Sequence, residues 1–179
     1  MITHKINVPE LSKSIKNLKI GDRVLLSGTV YTARDAAHKR IFAMLESGEK
    51  LPFEIKNAAI YYAGPTPTPD NLAIGSCGPT TSSRMDPYTP KLLDLGLKCV
   101  IGKGNRSDEV CQSLKRNGAV YLCAIGGCGA LYATCIKSSR VIAFDDLGCE
   151  SVKELVLEDF PLIVGVDSNG DSLFNKKLK

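Results

Sequence analysis

"KCVIGKGNRSDEVCQSLKRNGAVYLCA", residues 98–124, decides the fold. Lys98 to Ile101 reads as a short strand of β-branched and apolar residues. Ser107 is a natural N-cap, and Asp108 and Glu109 follow it where a helix N-terminus favours acids. Gly118 stops the helix, and Ala119 to Ala124 is a second strand. Strand, helix and strand within one short span are the unit of α/β packing, in which the two strands lie parallel. Lys103, between two glycines, falls directly after the first strand. On its own it reads equally well as a turn lysine or as a ligand.

The pattern extends in both directions. Asp22 to Thr32, "DRVLLSGTVYT", is a strand, and "ARDAAHKRIFAMLESGEK" after it is a helix that Gly48 can end. Ala59 to Ala63 is a short strand, closed by the "GPTPTPD" loop. Thr89 followed by Pro90 predicts an N-cap and first helical residue, with Gly96 near the stop. Gly126 to Ser138 reads as a glycine-opened helix, and Val141 to Phe144 and Leu162 to Asp167 as further strands. No repeat or long linker divides the 179 residues, so one domain, 1–179, is expected: α/β, with a mixed sheet and flanking helices.

Composition excludes several classes. Hydrophobic residues make 44% and charged residues 23%, as in ordinary globular chains rather than disordered or fibrous ones. The net charge of +4 is dispersed apart from a tail of Lys176, Lys177 and Lys179, and there is no tryptophan, so nucleic acid is not an expected partner. The longest uncharged run, Ala119 to Ile136, carries glycines in its middle and is short for a membrane span. The N-terminus lacks the apolar core of a signal peptide. The seven cysteines form no CxxC pair, so no metal site is expected in this chain and a reduced, cytoplasmic protein is.

The segment "GPTTSSRMD", Gly78 to Asp86, gathers hydroxyls around one arginine just before a helix. Such a connection offers N–H groups, hydroxyls and a guanidinium to one point, which suits an anion; it is equally readable as a set of turn caps. "TARDAAHKR" sets Arg34 and Asp35 at a strand-to-helix junction, where open α/β sheets hold ligands. The plainer alternative makes Asp35 a helix cap and Arg34 a solvated edge residue. The "GGCGA" and "GKGN" turns match neither the dinucleotide nor the Walker A spacing. Three basic groups and a threonine pair at strand-to-helix turns would suit a small dianion with two carboxylates.

Five motifs in order, "GTVYTARDAAHKR", "YYAGPTP", "GPTTSSRMDPYTPKLL", "GKGNRS" and "LEDFPLIV", resemble the β subunit or C-terminal domain of class I iron–sulfur fumarate hydratases, with the L-tartrate dehydratase β subunit as kin. The resemblance runs from Val24 to Asp167 and implies a swivelling β/β/α domain. It implies hydro-lyase chemistry, the addition of water to fumarate to give (S)-malate, or dehydration of L-tartrate. It further implies a [4Fe–4S] cluster held by a partner α subunit, with the site at the seam of the two chains, and a homodimer or α2β2 assembly. By the same resemblance Arg34, Arg84 and Lys103 bind the substrate carboxylates. Thr80 and Thr81 lie beside the substrate, one of them in proton transfer, while Asp35, His38 and Asp86 support these groups from behind. A free-standing carboxylate-binding module without catalysis is the alternative from another class.

Overall fold

The computed structural model describes residues 1–175; the Lys176, Lys177 and Lys179 tail lies outside the described residues. Seven strands form one sheet: β1 (Thr3–Asn7), β2 (Arg23–Thr32), β3 (Ala59–Tyr61), β4 (Cys99–Gly102), β5 (Val120–Cys123), β6 (Ile136–Ala143) and β7 (Val152–Val166). The helices are α1 (Leu11–Ser14), α2 (Asp35–Ser47), α3 (Thr89–Asp94), α4 (Asp108–Asn117) and α5 (Gly129–Thr134). Strands β1 to β5 run parallel in chain order, and β7 is antiparallel to β2, β5 and β6.

Because β7 pairs with both β5 and β2, five strands close into a ring, β2-β3-β4-β5-β7. Following paired residues around it leads from Thr32 to Tyr61, Ile101, Leu122 and Val164. The path re-enters the chain at Asp22, whose carbonyl accepts the Val164 N–H at 2.9 Å. The return point lies well before Thr32 on the same polypeptide, so the strands are steeply tilted, as closure of a small ring requires. The two longest strands bend together. Gly28 (φ 108°), paired with Leu157, and Asp159 (φ 47°) lie on the two strands at a break in the β2–β7 register. A Cβ at Gly28 would stand 3.3 Å from Val8, which therefore packs against bare backbone there.

Alternation along the strands builds two cores. Tyr61, Ile101, Leu122 and Val164 point into the ring with Val24, Leu26 and Phe160. Ile60, Val100 and Tyr121 point out, under Ile41 of α2, Leu92 of α3 and Leu114 of α4. Burying each such aliphatic side chain contributes about 1.5–3 kcal/mol. The bulge keeps β7 in phase: Leu155 and Leu157 face inward before it, Phe160 and Leu162 after it.

Several expectations hold and others are corrected. Ser107 caps α4, its hydroxyl accepting the Val110 N–H, and Gly118 ends it in the left-handed conformation. Gly48 ends α2 in the same way. Thr89 is not the cap of α3. Tyr88 takes that place, and the Thr89 hydroxyl turns back to donate to the Met85 carbonyl at 2.8 Å. The helix read over Gly126–Ser138 is only α5, and Ile136 already belongs to β6. Pairing along β7 outweighs the helical composition of "GALYATCIKSS". The strand read at Leu162–Asp167 is the end of the longer β7. Among the described residues no helix is long and apolar enough to cross a membrane.

Candidate functional site

The parallel strands deliver the candidate residues to one rim. Arg34 follows β2, Gly64 follows β3, Lys103 follows β4 and Gly126 follows β5. Neighbouring strand ends touch. A Cβ at Gly64 would lie 2.8 Å from Arg34 Nη1, and one at Gly126 would lie 3.4 Å from Lys103 Cδ. The guanidinium of Arg34 thus occupies space that only a glycine leaves open.

Arg34, Asp35 and Arg84 form one cluster. Arg84 donates from Nε to Asp35 Oδ1 at 3.0 Å, and its Nη2 lies 2.9 Å from Oδ2. Arg34 Nε stands 3.9 Å from the same carboxylate. Asp35 opens α2 as its first residue and makes no capping bond, so the cap reading of Asp35 fails. His38 lies one turn on, fully buried. Its Nδ1 donates to the Arg34 carbonyl at 2.8 Å, and its ring stacks on Tyr88 and meets Tyr62 edge-on. Burial away from water holds its pKa down at about 4, so the ring is neutral and its Nε2 carries no proton.

Thr80, Thr81 and Lys103 form the second cluster, joined through the backbone. Thr81 and Lys103 make a parallel β-bridge, with the Ser82 N–H donating to the Lys103 carbonyl at 2.8 Å and the Lys103 N–H to the Thr80 carbonyl at 3.3 Å. The Thr80 N–H is held by the Tyr62 carbonyl at 2.6 Å. Among the described residues Lys103 has no carboxylate within ion-pair distance. The two clusters meet across the 3-10 turn Ser82–Met85. Residues three apart eclipse in such a turn, so Thr81 and Arg84 share its exposed side while Ser82 and Met85 are buried beneath.

Asp86 points away from this rim and anchors the loop. Its Oδ1 accepts from Arg106 Nε at 2.7 Å and its Oδ2 from the Ser107 N–H at 2.7 Å. Arg106 is a buried arginine that the motif "GKGNRS" contains but sequence reasoning did not single out. It donates to the Thr89 hydroxyl at 2.7 Å and lies over the rings of Tyr62 and Tyr121. Tyr121 bonds in turn to Ser82 and to the Gly104 carbonyl. The hydroxyl loop and the lysine loop are therefore pinned to one buried cation. Glu150 was also missed: its Oε1 lies 3.3 Å from Arg34 Nη2, from a turn far along the chain that gives no local signal.

The placement of the described residues' donors does not suit an iron–sulfur cluster. No three His, Cys, Asp or Glu side chains gather as metal ligands among the described residues. Cys77 and Cys99 are buried, and burial pushes both thiols up, Cys77 to about 12, away from the thiolate a metal needs. A cavity of about 400 Å³ lies elsewhere, between the Pro69–Ser76 loop and α5. The rim thus sets Arg34 and Arg84, each paired with a carboxylate, beside Lys103 and the Thr80–Thr81 backbone.

Known proteins share this arrangement of sequence. "Fumarate hydratase 2" of Leishmania major is 40% identical over 173 residues, which cover 96% of this chain and 30% of that protein. "Fumarate hydratase class I, aerobic" of Escherichia coli strain K12 is 38% identical over 169 residues, 93% of this chain and 31% of its own length. A protein of Methanocaldococcus jannaschii named "Putative L(+)-tartrate dehydratase subunit beta" is 43% identical over 175 residues, 93% of this chain and 90% of its own. The chain thus spans under a third of these two fumarate hydratases and most of the archaeal subunit. The model of the family described as Fumarase C-terminus matches residues 2–177, and the chain belongs to that family.

Proposed function

We propose that this chain is the β subunit of a two-subunit hydro-lyase, with fumarate as its substrate, and that it supplies the carboxylate-binding side of a shared site. The observation that carries the reading is the meeting of three distant sequence segments at one rim: Arg34 with Arg84 through Asp35, and Thr81, on the same turn as Arg84, with Lys103 through a β-bridge. Arg84 presents a planar fork to one carboxylate. Arg34 and Lys103 add positive charge for the other and for the negative charge that grows on it as oxygen adds to the double bond, before the neighbouring carbon takes up a proton. One of the hydroxyls of Thr80 and Thr81 would pass that proton, and because a free alcohol is a poor acid and a poor base a group of the partner chain must exchange the proton with it.

The [4Fe–4S] cluster of the proposed enzyme belongs to the α-type partner, in keeping with the donor set of this chain. The assembly is proposed as a dimer or α2β2 complex, and the fold as the swivelling β/β/α type, which the closed ring with outer helices supports. The chain would form that one domain throughout. Seven unpaired thiols support a reducing compartment, proposed as the cytoplasm.

The test is co-expression with a cluster-bearing α-type chain under anaerobic conditions, followed by loss of substrate absorbance. Turnover of fumarate that needs both chains is expected. Failure of the reconstituted pair on fumarate, L-tartrate and mesaconate alike would overturn the reading in favour of a non-catalytic binding module. L-Tartrate is the second substrate reading, favoured by the match along 90% of the archaeal subunit; kcat/KM on both acids decides.

A further inference from the structure

Helix α2 begins without a side chain able to cap it. Its N-cap is Arg34, in extended conformation, and a guanidinium has donors only. The first N–H groups of a helix need acceptors from outside. One acceptor comes from far along the chain: Glu150 Oε2 takes the Ala36 N–H at 2.9 Å. The other oxygen of the same carboxylate, Oε1, lies 3.3 Å from Arg34 Nη2. One side chain thus closes the helix end and holds the guanidinium beside it.

The turn that carries Glu150, Asp145–Glu150, is tied to α2 a second time. Asp146 pairs with both terminal nitrogens of Arg40, with Nη1 to Oδ1 at 2.7 Å. Arg40 also lies over the Phe144 ring, 5.3 Å from its centroid. Glu150 is therefore delivered by an anchored segment. With it, charges alternate along the rim in the order Glu150, Arg34, Asp35, Arg84. Glu150 takes Nη2 of Arg34, the Gly64 gap receives Nη1, and Nε is buried without a hydrogen-bond partner. Rotation of the guanidinium would cost the Glu150 contact and drive it into the backbone near Gly64.

We propose that Glu150 is a positioning residue of the site: it fixes the plane of the Arg34 guanidinium that meets the substrate carboxylate, without touching substrate itself. The proposal rests on the carboxylate-binding reading of Arg34. Glu150→Gln keeps the size and the acceptor for Ala36 and removes the charge that holds Arg34.

The test has two arms. In the co-expressed complex, Glu150→Gln raises KM for the substrate that the wild type turns over by about ten-fold, with kcat within about two-fold, and Glu150→Asp, which keeps the charge on a shorter stem, falls between. Unchanged KM in Glu150→Gln overturns the proposal. The second arm is hydrogen exchange of the Arg34 Nε–H in the ¹⁵N-labelled full chain, identified by its disappearance in Arg34→Lys. Exchange is slow in the wild type and speeds up by about ten-fold or more in Glu150→Gln; equal rates overturn the proposal. If the wild-type complex turns over none of the three acids, the functional reading fails, and the exchange arm alone decides whether Glu150 orders Arg34.

Discussion

Arg84 meets Asp35 side-on, with Nε 3.0 Å from Oδ1 and Nη2 2.9 Å from Oδ2. That contact uses one edge of the guanidinium. The outer edge, made by Nη1 and the second hydrogen of Nη2, remains available for a second carboxylate, and the side chain is half exposed. Asp35 is thus a support that turns the fork outward. Arg84→Lys removes the fork and keeps the charge. In the α-type complex it should raise KM at least about ten-fold, since a charged hydrogen bond contributes roughly 1.5–3 kcal/mol. Steady-state kinetics check this, and an unchanged KM would remove Arg84 from the site.

Gly64→Ala tests the packing of Arg34. The added methyl would sit 2.8 Å from Nη1 and 3.1 Å from Cδ, both on a flexible side chain, and 3.3 Å from the Cys149 carbonyl. The side chain yields before the fold does. The expected result is a fall in kcat/KM of about ten-fold with the thermal midpoint moved by no more than about 4 °C, the shift of roughly 1 kcal/mol in a domain of this size. Calorimetry and kinetics on the same preparation separate the two effects.

Arg106→Met breaks a buried ion pair from one side. It leaves Asp86 with the Ser107 N–H alone and takes one of two donors from Thr89. Removal of one partner of such a pair costs about 3–5 kcal/mol. Asp86→Asn keeps an acceptor for one of its two bonds and should cost less. Urea unfolding of the two variants gives the order; equal midpoints would show that losing the Asp86 charge costs as much as losing the cation itself.

His38 gives stability a pH dependence of known sign. Its folded pKa of about 4 lies below the ordinary 6.5 because burial disfavours the charged ring. The unfolded chain therefore binds a proton that the folded chain refuses between these values. The contribution of His38 is complete above pH 6.5 and is lost as pH falls toward 4. The full change is on the order of 3 kcal/mol. Urea midpoints measured across this range should fall more steeply for wild type than for His38→Phe. Parallel curves would mean that the ring protonates equally in both states.

What the sequence disclosed was local. The unit from Cys99 to Cys123 could be read because Ser107 and Gly118 mark a helix by their own side-chain and backbone chemistry. The rim residues were legible as a set of anion-binding types at strand ends, and their convergence came from the ordering of parallel strands. Ring closure could not be read, because it depends on β7 pairing with strands distant in the chain, and only its last segment looked like a strand. The same distance hid Glu150, whose partners precede it by more than a hundred residues. Arg106 was hidden differently. In "GKGNRS" it resembles any loop arginine, and only the tyrosines on β5 and after β3 make it part of the interior.

Ring closure also has a consequence for synthesis. Among the described strands β7 is made last, and it must pair with β2, which is made more than a hundred residues earlier. Until then the nascent sheet has two open flanks of unbonded amides, an invitation to neighbouring chains. Chains cut short before Val152 should collect in inclusion bodies, and chaperone dependence should peak just before that point of translation.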